Sequence, residues 1–370
     1  MRTLGTILVG ISSLVSMCLV GCGMSARDYY QKGVREMNVY DCASDSSFKQ
    51  AAAMEFEDEG NWYPVYMMSA GLSRIYCGNY EGALKAFQTI DQFVVRKSEQ
   101  GAGTKAAEFL KTSSKRTYEL TDREETLLHF YMGLASYELG RYDDALVELK
   151  KVDYIAEGTY SRLPLASLMR GMIYLKLGES DNALVAFRKV IEVNPKLPAG
   201  YTLAILASQG ASTKNYLKKA LLDSCGIQFV EPKPEEKTVL VVVEMTHWNN
   251  DEYVYRTQYD ERNSRAFVLD AVDPDFDFSK FTAKVVKDVA SSLARDAASR
   301  ATFGLSGLFF GGGGSDERSW ATLPSMYLAD VVILSKSQVA ASVLRNDEGK
   351  IKGSRNFVIA DEVDIVPVRF

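Results

Sequence analysis

The stretch SLMRGMIYLKLGESDNALVAFRKVIEVNPKLP, Ser167 to Pro198, decides the fold, because its small and aromatic residues recur at helical spacing. It reads as two antiparallel helices. Gly171 and Ala183 are small enough to let the helices close on each other, Tyr174 and Phe187 fill the space between them, Gly178 takes the turn, and Asn194-Pro195 ends the second helix. Two upstream stretches repeat the pattern. Gly133, Gly140, Tyr142, Ala145 and Leu149 fall at the same offsets as Gly171, Gly178, Ser180, Ala183 and Phe187, and so do Gly71, Gly78, Tyr80, Ala83 and Phe87. Three matches at one set of offsets mark an internal repeat.

Each unit resembles a tetratricopeptide (TPR) repeat, whose usual period is about 34 residues. The step from Gly133 to Gly171 is 38 residues, so the array is imperfect. The resemblance implies an α-helical TPR-like solenoid that presents a concave surface and does not itself catalyse. Groove-facing positions on the first helix of each pair would be Leu72, Tyr76, Leu134, Tyr137, Met172 and Lys176, a lining that suits a peptide or a partner helix. Ala145 and Ala183 are predicted where paired helices come closest, and Ala186 on the outer side.

The chain opens MRTLGTILVGISSLVSMCLVGC, with Arg2, an apolar run from Leu4 to Leu19 and a small residue before a cysteine. This reads as an export signal over residues 1–21, too short for a comfortable membrane span. Leu19-Val20-Gly21-Cys22 resembles the lipobox of bacterial lipoproteins, which implies an acylated, palmitate-bearing Cys22 as the mature N-terminus. Cys18 is the rival site, but bulky Met17 precedes it where a small residue is needed. Three acyl chains bury dozens of methylenes at about 0.8 kcal/mol each, so the anchorage would be permanent. Residue 23 is Gly and not Asp, which by the enterobacterial lipoprotein rule implies onward export to the outer membrane, facing the periplasm.

With 46% hydrophobic and 25% charged residues and a formal charge of -5, the composition is globular and carries no nucleic-acid footprint. Beyond Cys18 and Cys22, the cysteines are Cys42, Cys77 and Cys225, an odd count that allows one bridge at most. Cys42 and Cys77 lie in one helical region and are able to pair, although small buried thiols are the reading favoured from sequence.

Residues 22–224 read as the helical repeat domain. Asp28 to Gly60 is expected to supply capping helices, and repeat pairs follow from about Trp62, from Thr121 and from Ser167. An insertion at Arg96 to Leu120 holds a short helix at Ala106 to Lys111, and Ala199 to Leu222 closes the stack. Thr121 followed by Glu124 has capping-box spacing. Residues 225–237, with two prolines and mixed charge, read as a linker. Residues 238–370 read as a smaller α+β domain. Its strand candidates are Thr238 to Met245, Tyr253 to Tyr259, Arg265 to Leu269, Met326 to Leu334, Val339 to Leu344, Asn356 to Ile359 and Val363 to Val368, with a hairpin turn at Asn346 to Gly349. An amphipathic helix spans Phe278 to Phe303. The change of composition predicts that the two halves fold independently.

No catalytic constellation stands out. Gly304 to Ser315 is glycine-rich but lacks the Gly-Lys-Ser/Thr of a phosphate loop. His129 and His247 are each alone, so zinc is not expected, and Asp273, Asp275 and Asp277 lack the glycine and terminal Glu of a calcium loop. No metal, cofactor or nucleic acid is expected. The stretch DERSWATLP, Asp316 to Pro324, is similar to one in a little-characterised family of Gram-negative envelope lipoproteins with a helical-repeat N-terminal half and a strand-rich C-terminal domain. Trp320 and Leu323 are expected to plug the C-terminal domain core. Together these features predict a membrane-anchored envelope scaffold that docks a protein or peptide partner in cell-wall synthesis or outer-membrane assembly, and not an enzyme. The alternative is an enzyme or ligand-binding module in the C-terminal domain.

Overall fold

A computed structural model describes residues 24–57, 62–98, 118, 120–155, 164–245, 255–259, 262–265, 267–271, 320, 322–324, 326–334, 338–345, 351–358 and 363–369. Among them are ten helices: α1 (Ala26–Asn38), α2 (Ala43–Glu57), α3 (Tyr63–Tyr76), α4 (Tyr80–Ser98), α5 (Asp122–Glu138), α6 (Tyr142–Ile155), α7 (Pro164–Lys176), α8 (Ser180–Val193), α9 (Pro198–Ala207) and α10 (Ala211–Cys225). They form five consecutive hairpins stacked as a TPR-like solenoid.

The repeat offsets have a direct steric meaning. A Cβ built on Gly71 would stand 2.5 Å from a Phe87 ring carbon, one on Gly133 2.8 Å from Leu149, and one on Gly171 2.2 Å from Phe187. Only glycine lets the second helix seat its large residue there. Gly78, Gly140 and Gly178 take the left-handed conformation at the hairpin turns, with φ of 73°, 72° and 77°.

The segment expected to cap the stack is itself a repeat pair. A Cβ built on Gly33 would stand 2.7 Å from a Phe48 ring carbon, and Tyr40, with φ 61°, stands seven residues on, where the other repeats have glycine. The turn closes by the same hydrogen bond in each case: Asp41 N–H to Glu36 O at 2.8 Å, Asn79 to Arg74 at 2.9 Å, Arg141 to Ser136 at 2.9 Å and Glu179 to Tyr174 at 2.8 Å. Ser44 is the small residue four before Phe48, as Ala83 is before Phe87.

Cys42 and Cys77 form a disulfide, with Cα atoms 5.9 Å apart, which corrects the expectation of buried thiols. The bridge ties the start of α2 to the end of α3, where Ser44 and Ser73 also share a 2.6 Å hydrogen bond and Arg74 meets Asp45 at 2.8 Å. The Thr121–Glu124 capping box is present as expected.

Ala183 is fully buried, as predicted. Ala186 is also buried, at 6% exposure, so it is not an outer position; Val185, at 67%, is. Ala183→Leu is therefore expected to cost about 1–3 kcal/mol by overpacking, whereas Val185→Leu leaves the midpoint close to that of the parent. Thermal melts followed by circular dichroism decide it, and equal midpoints for the two variants would refute the assigned register.

Residues 226–236 contain no helix or strand. Among the described residues eight strands follow: β1 (Lys237–Met245), β2 (Tyr255–Tyr259), β3 (Arg262–Arg265), β4 (Phe267–Ala271), β5 (Met326–Leu334), β6 (Gln338–Arg345), β7 (Ile351–Val358) and β8 (Val363–Arg369). One sheet runs β4-β5-β1-β8 and the other β3-β2-β6-β7. The expected strand at Arg265 to Leu269 is instead two, β3 and β4, in different sheets. The expected strand at Asn356 to Ile359 is the end of a longer one, β7. β1 pairs antiparallel with β5, Val239 opposite Val332, and parallel with β8, Val239 opposite Asp364. The expected Phe278–Phe303 helix, the Ala106–Lys111 helix, the glycine-rich loop, the Asp273–Asp277 run, His247 and Cys22 all lie outside the described residues. No helix among the described residues is long and apolar enough to cross a membrane.

Candidate functional site

The concave face of the solenoid, built by the first helix of each hairpin, is where a TPR-like array receives a ligand. Here that face is covered by the chain's own first sheet. α7 packs on β4 and β8, and α9 packs on β5. β1 is buried on both sides, as its unbroken β-branched run requires. Its even residues Leu240 and Val242 join the same apolar cluster as Leu72, Leu134 and Met172, along with Ala329 of β5 and Ile365 of β8.

Trp320 is buried in this junction. Its ring stands 6.0 Å from Phe87 of α4 and 6.1 Å, edge-on, from Tyr131 of α5. Its backbone N–H donates to Glu124 Oε1 at 2.7 Å. Glu124 therefore serves twice. Its Oε2 accepts from the Thr121 N–H and hydroxyl, closing the cap of α5, while its Oε1 also accepts from the Tyr118 hydroxyl at 2.5 Å. The inserted segment continues with Thr322, whose hydroxyl donates to Ser69 Oγ at 3.0 Å, and Pro324, whose carbonyl accepts from Arg123 at 3.4 Å. Trp320 and Leu323 thus plug a core, but one shared with the helices and not the C-terminal domain's own.

A second buried polar set holds β1. Glu244, fully buried, accepts from the hydroxyls of Tyr76 (α3) and Tyr131, and Tyr131 shares a 3.0 Å hydrogen bond with Tyr327 of β5. Burial, with the Glu244 carboxylate beside it, holds the Tyr131 phenol well above the ordinary tyrosine range, so it stays a neutral donor. A buried carboxylate needs such donors to offset its lost hydration.

Of the six residues expected to face a groove, three do not meet solvent. Leu72, Leu134 and Met172 are fully buried in the shared core, and Tyr76 is bonded to Glu244. Tyr137 and Lys176 lie further along, where the Lys176 ammonium donates to the Tyr137 hydroxyl at 3.1 Å and sits 4.8 Å over its ring and 5.3 Å over that of Tyr142. The correction has a plain cause: apolar residues on the concave face are covered by the apolar face of a sheet from the same chain.

His129, buried in α5, has Nδ1 2.7 Å from Glu148 of α6 and Nε2 3.7 Å from Asp91 of α4. Burial pushes the Glu148 carboxyl upward, but hydrogen bonds from His129 and Lys151 outweigh it and hold the group below its usual range. Three helices are clasped by one imidazole. Among the described residues no cluster of His, Cys, Asp and Glu has the arrangement of a metal site.

The tetratricopeptide repeat family model matches residues 166–197. Among solved structures the chain is similar to the MamA protein, with 17% identity over 54% of this chain and 91% of that one, at a TM-score of 0.39. MamA from Desulfovibrio magneticus RS-1 is 13% identical over 55% and 94%, at 0.39. YrrB, described as a TPR protein with an unusual peptide-binding site, is 15% identical over 54% and 86%, at 0.37. At such scores these likenesses carry no argument about function, and the solenoid rests on the repeat geometry above. No curated protein matches the chain.

Proposed function

We propose that this chain is a lipid-anchored envelope scaffold that holds a protein or peptide partner at the periplasmic face of the outer membrane. Residues 1–21 are the export signal, 22–224 the repeat domain, 225–237 a linker and 238–370 an α+β domain. The observation that carries the reading is the juxtaposition of a lipobox cysteine with a repeat array whose first helix begins four residues later, at Ala26. Repeat arrays of this kind bind partners by presenting extended surfaces. The Cys42–Cys77 bridge supports the same address, since disulfides persist in oxidising compartments such as the bacterial periplasm. With Leu72, Leu134 and Met172 covered, the partner engages an outer surface of the array and sheet.

Cys22→Ser is expected to abolish incorporation of radiolabelled palmitate, because the lipobox cysteine is the one anchor legible in the sequence. Label still entering the variant, or parent protein washing free of membranes without detergent, would overturn the anchoring. Crosslinking in intact cells followed by affinity capture tests the scaffold: a reproducible adduct with one envelope protein is expected, and its absence argues against docking.

A further inference from the structure

We propose that the anchor-side end of the first hairpin rests on the bilayer and inserts Phe56 into its interface, an inference that rests on the acylation of Cys22 proposed above. Only Gly23, Met24 and Ser25 separate Cys22 from Ala26. An extended residue spans about 3.5 Å, so α1 starts within about 14 Å of the acylated residue, a reach of the order of the polar layer of a leaflet, about 5–8 Å, plus one turn of helix.

The antiparallel packing of α1 and α2 brings the end of α2 and the start of α3 to that same end. Tyr30 of α1 lies 4.9 Å from Tyr66 of α3, and Tyr66 lies 6.2 Å from Trp62. The Trp62 N–H donates to Glu55 Oε1 of α2 at 2.9 Å, and the Phe56 ring is 5.5 Å from that of Tyr63. The end is therefore aromatic, and its outermost member is bare: Phe56 is 70% exposed, with Met24 at 39% beside the anchor. Rings with an apolar body and a polar edge favour the membrane–water interface, and a bare phenylalanine gains there what it lacks in water. Arg27 and Asp28 balance each other in the first turn of α1, but Glu57, Asp58 and Glu59 follow Phe56 in sequence. The surface that fits this end is accordingly an uncharged lipid interface, not an anionic one.

The test uses the lipidated full-length mature protein in uncharged phosphatidylcholine vesicles. Phe56→Trp adds an emission that, after subtraction of the parent spectrum, is expected to be blue-shifted and strongly quenched when the lipid carries bromine on its upper acyl carbons. Val185→Trp, on an exposed position of the fourth hairpin, is expected to emit as in water and to resist quenching. A Phe56→Trp emission that is unshifted and unquenched, or quenching equal at the two positions, overturns the contact. Mass spectrometry of the N-terminal peptide separates the two readings: fatty acid on Cys22 with an unquenched Phe56→Trp variant sinks the contact alone, whereas absence of fatty acid sinks the anchor.

Discussion

Replacing Trp320 with alanine is expected to destabilise the helices and the sheet together, by about 3–5 kcal/mol, the usual cost of emptying a buried aromatic site. The ring is 2% exposed and touches Phe87 and Tyr131, which belong to different hairpins of the array. A cavity there removes contacts from both hairpins and from the segment leading into β5. In a stacked array such a loss passes to neighbouring units. Trp320→Phe is the control, because the indole N–H finds no acceptor among the described residues, so a smaller ring retains most of what the site supplies. Circular dichroism at the helical and strand wavelengths should show both signals melting early, and coincidentally, in the alanine variant. A helical transition left at the parent's temperature would mean that the junction is a docking contact and the array stands alone.

That expectation bears on the two halves predicted from composition. Residues 226–236 contain no helix or strand and are largely exposed, so a protease has access to them. The buried cluster nonetheless runs without interruption from Tyr30 in α1 to Ile365 in β8. Cleavage near Pro232 to Lys237 is thus consistent with two fragments that remain associated, because what joins them is a core and not the connecting chain.

The sequence discloses what repeats locally and hides what is paired over distance. Gly71, Gly133 and Gly171 are legible because each needs a large partner sixteen positions on, and that spacing recurs. The first hairpin obeys the same geometry yet escapes detection, since Tyr40 replaces the turn glycine and the partner comes one residue early, at Phe48. β1 and β5 are legible as apolar β-branched runs, whereas β3, with the sequence RNSR, offers no such signal. Helical period puts the groove candidates on the first helix of each pair. Nothing local indicates their cover: Glu124 and Trp320 meet across 196 positions, and no period links them. One signal was available, the apolar even-numbered face of β1 ending in Glu244, a carboxylate in a buried run that requires donors from elsewhere.

Loss of the Cys42–Cys77 bridge is expected to cost about 4 kcal/mol, because it closes a loop of 35 residues whose freedom in the unfolded chain would otherwise return. For a chain of this size that corresponds to a fall in midpoint of roughly 5–15 °C. The bridge acts at one place, where the start of α2 meets the end of α3, and its neighbours there are the Ser44–Ser73 hydrogen bond and the Arg74–Asp45 ion pair. Those contacts hold the hairpins in register without the bridge, so the reduced protein still folds, and the loss appears in the melt and not in the far-ultraviolet spectrum at room temperature. Cys42 is exposed and Cys77 half-buried, which leaves the bridge open to a reductant in the native state. Reduction and the paired substitution Cys42→Ala with Cys77→Ala should lower the midpoint by similar amounts, the substitution serving as a check against side reactions of free thiols. Titration of thiols in the unreduced, denatured mature protein, with Cys22 acylated as proposed, should find Cys225 alone, because the other two are joined. Three reactive thiols, or a midpoint indifferent to reduction, would remove the bridge from the account and, with it, the independent support it lends to an oxidising compartment.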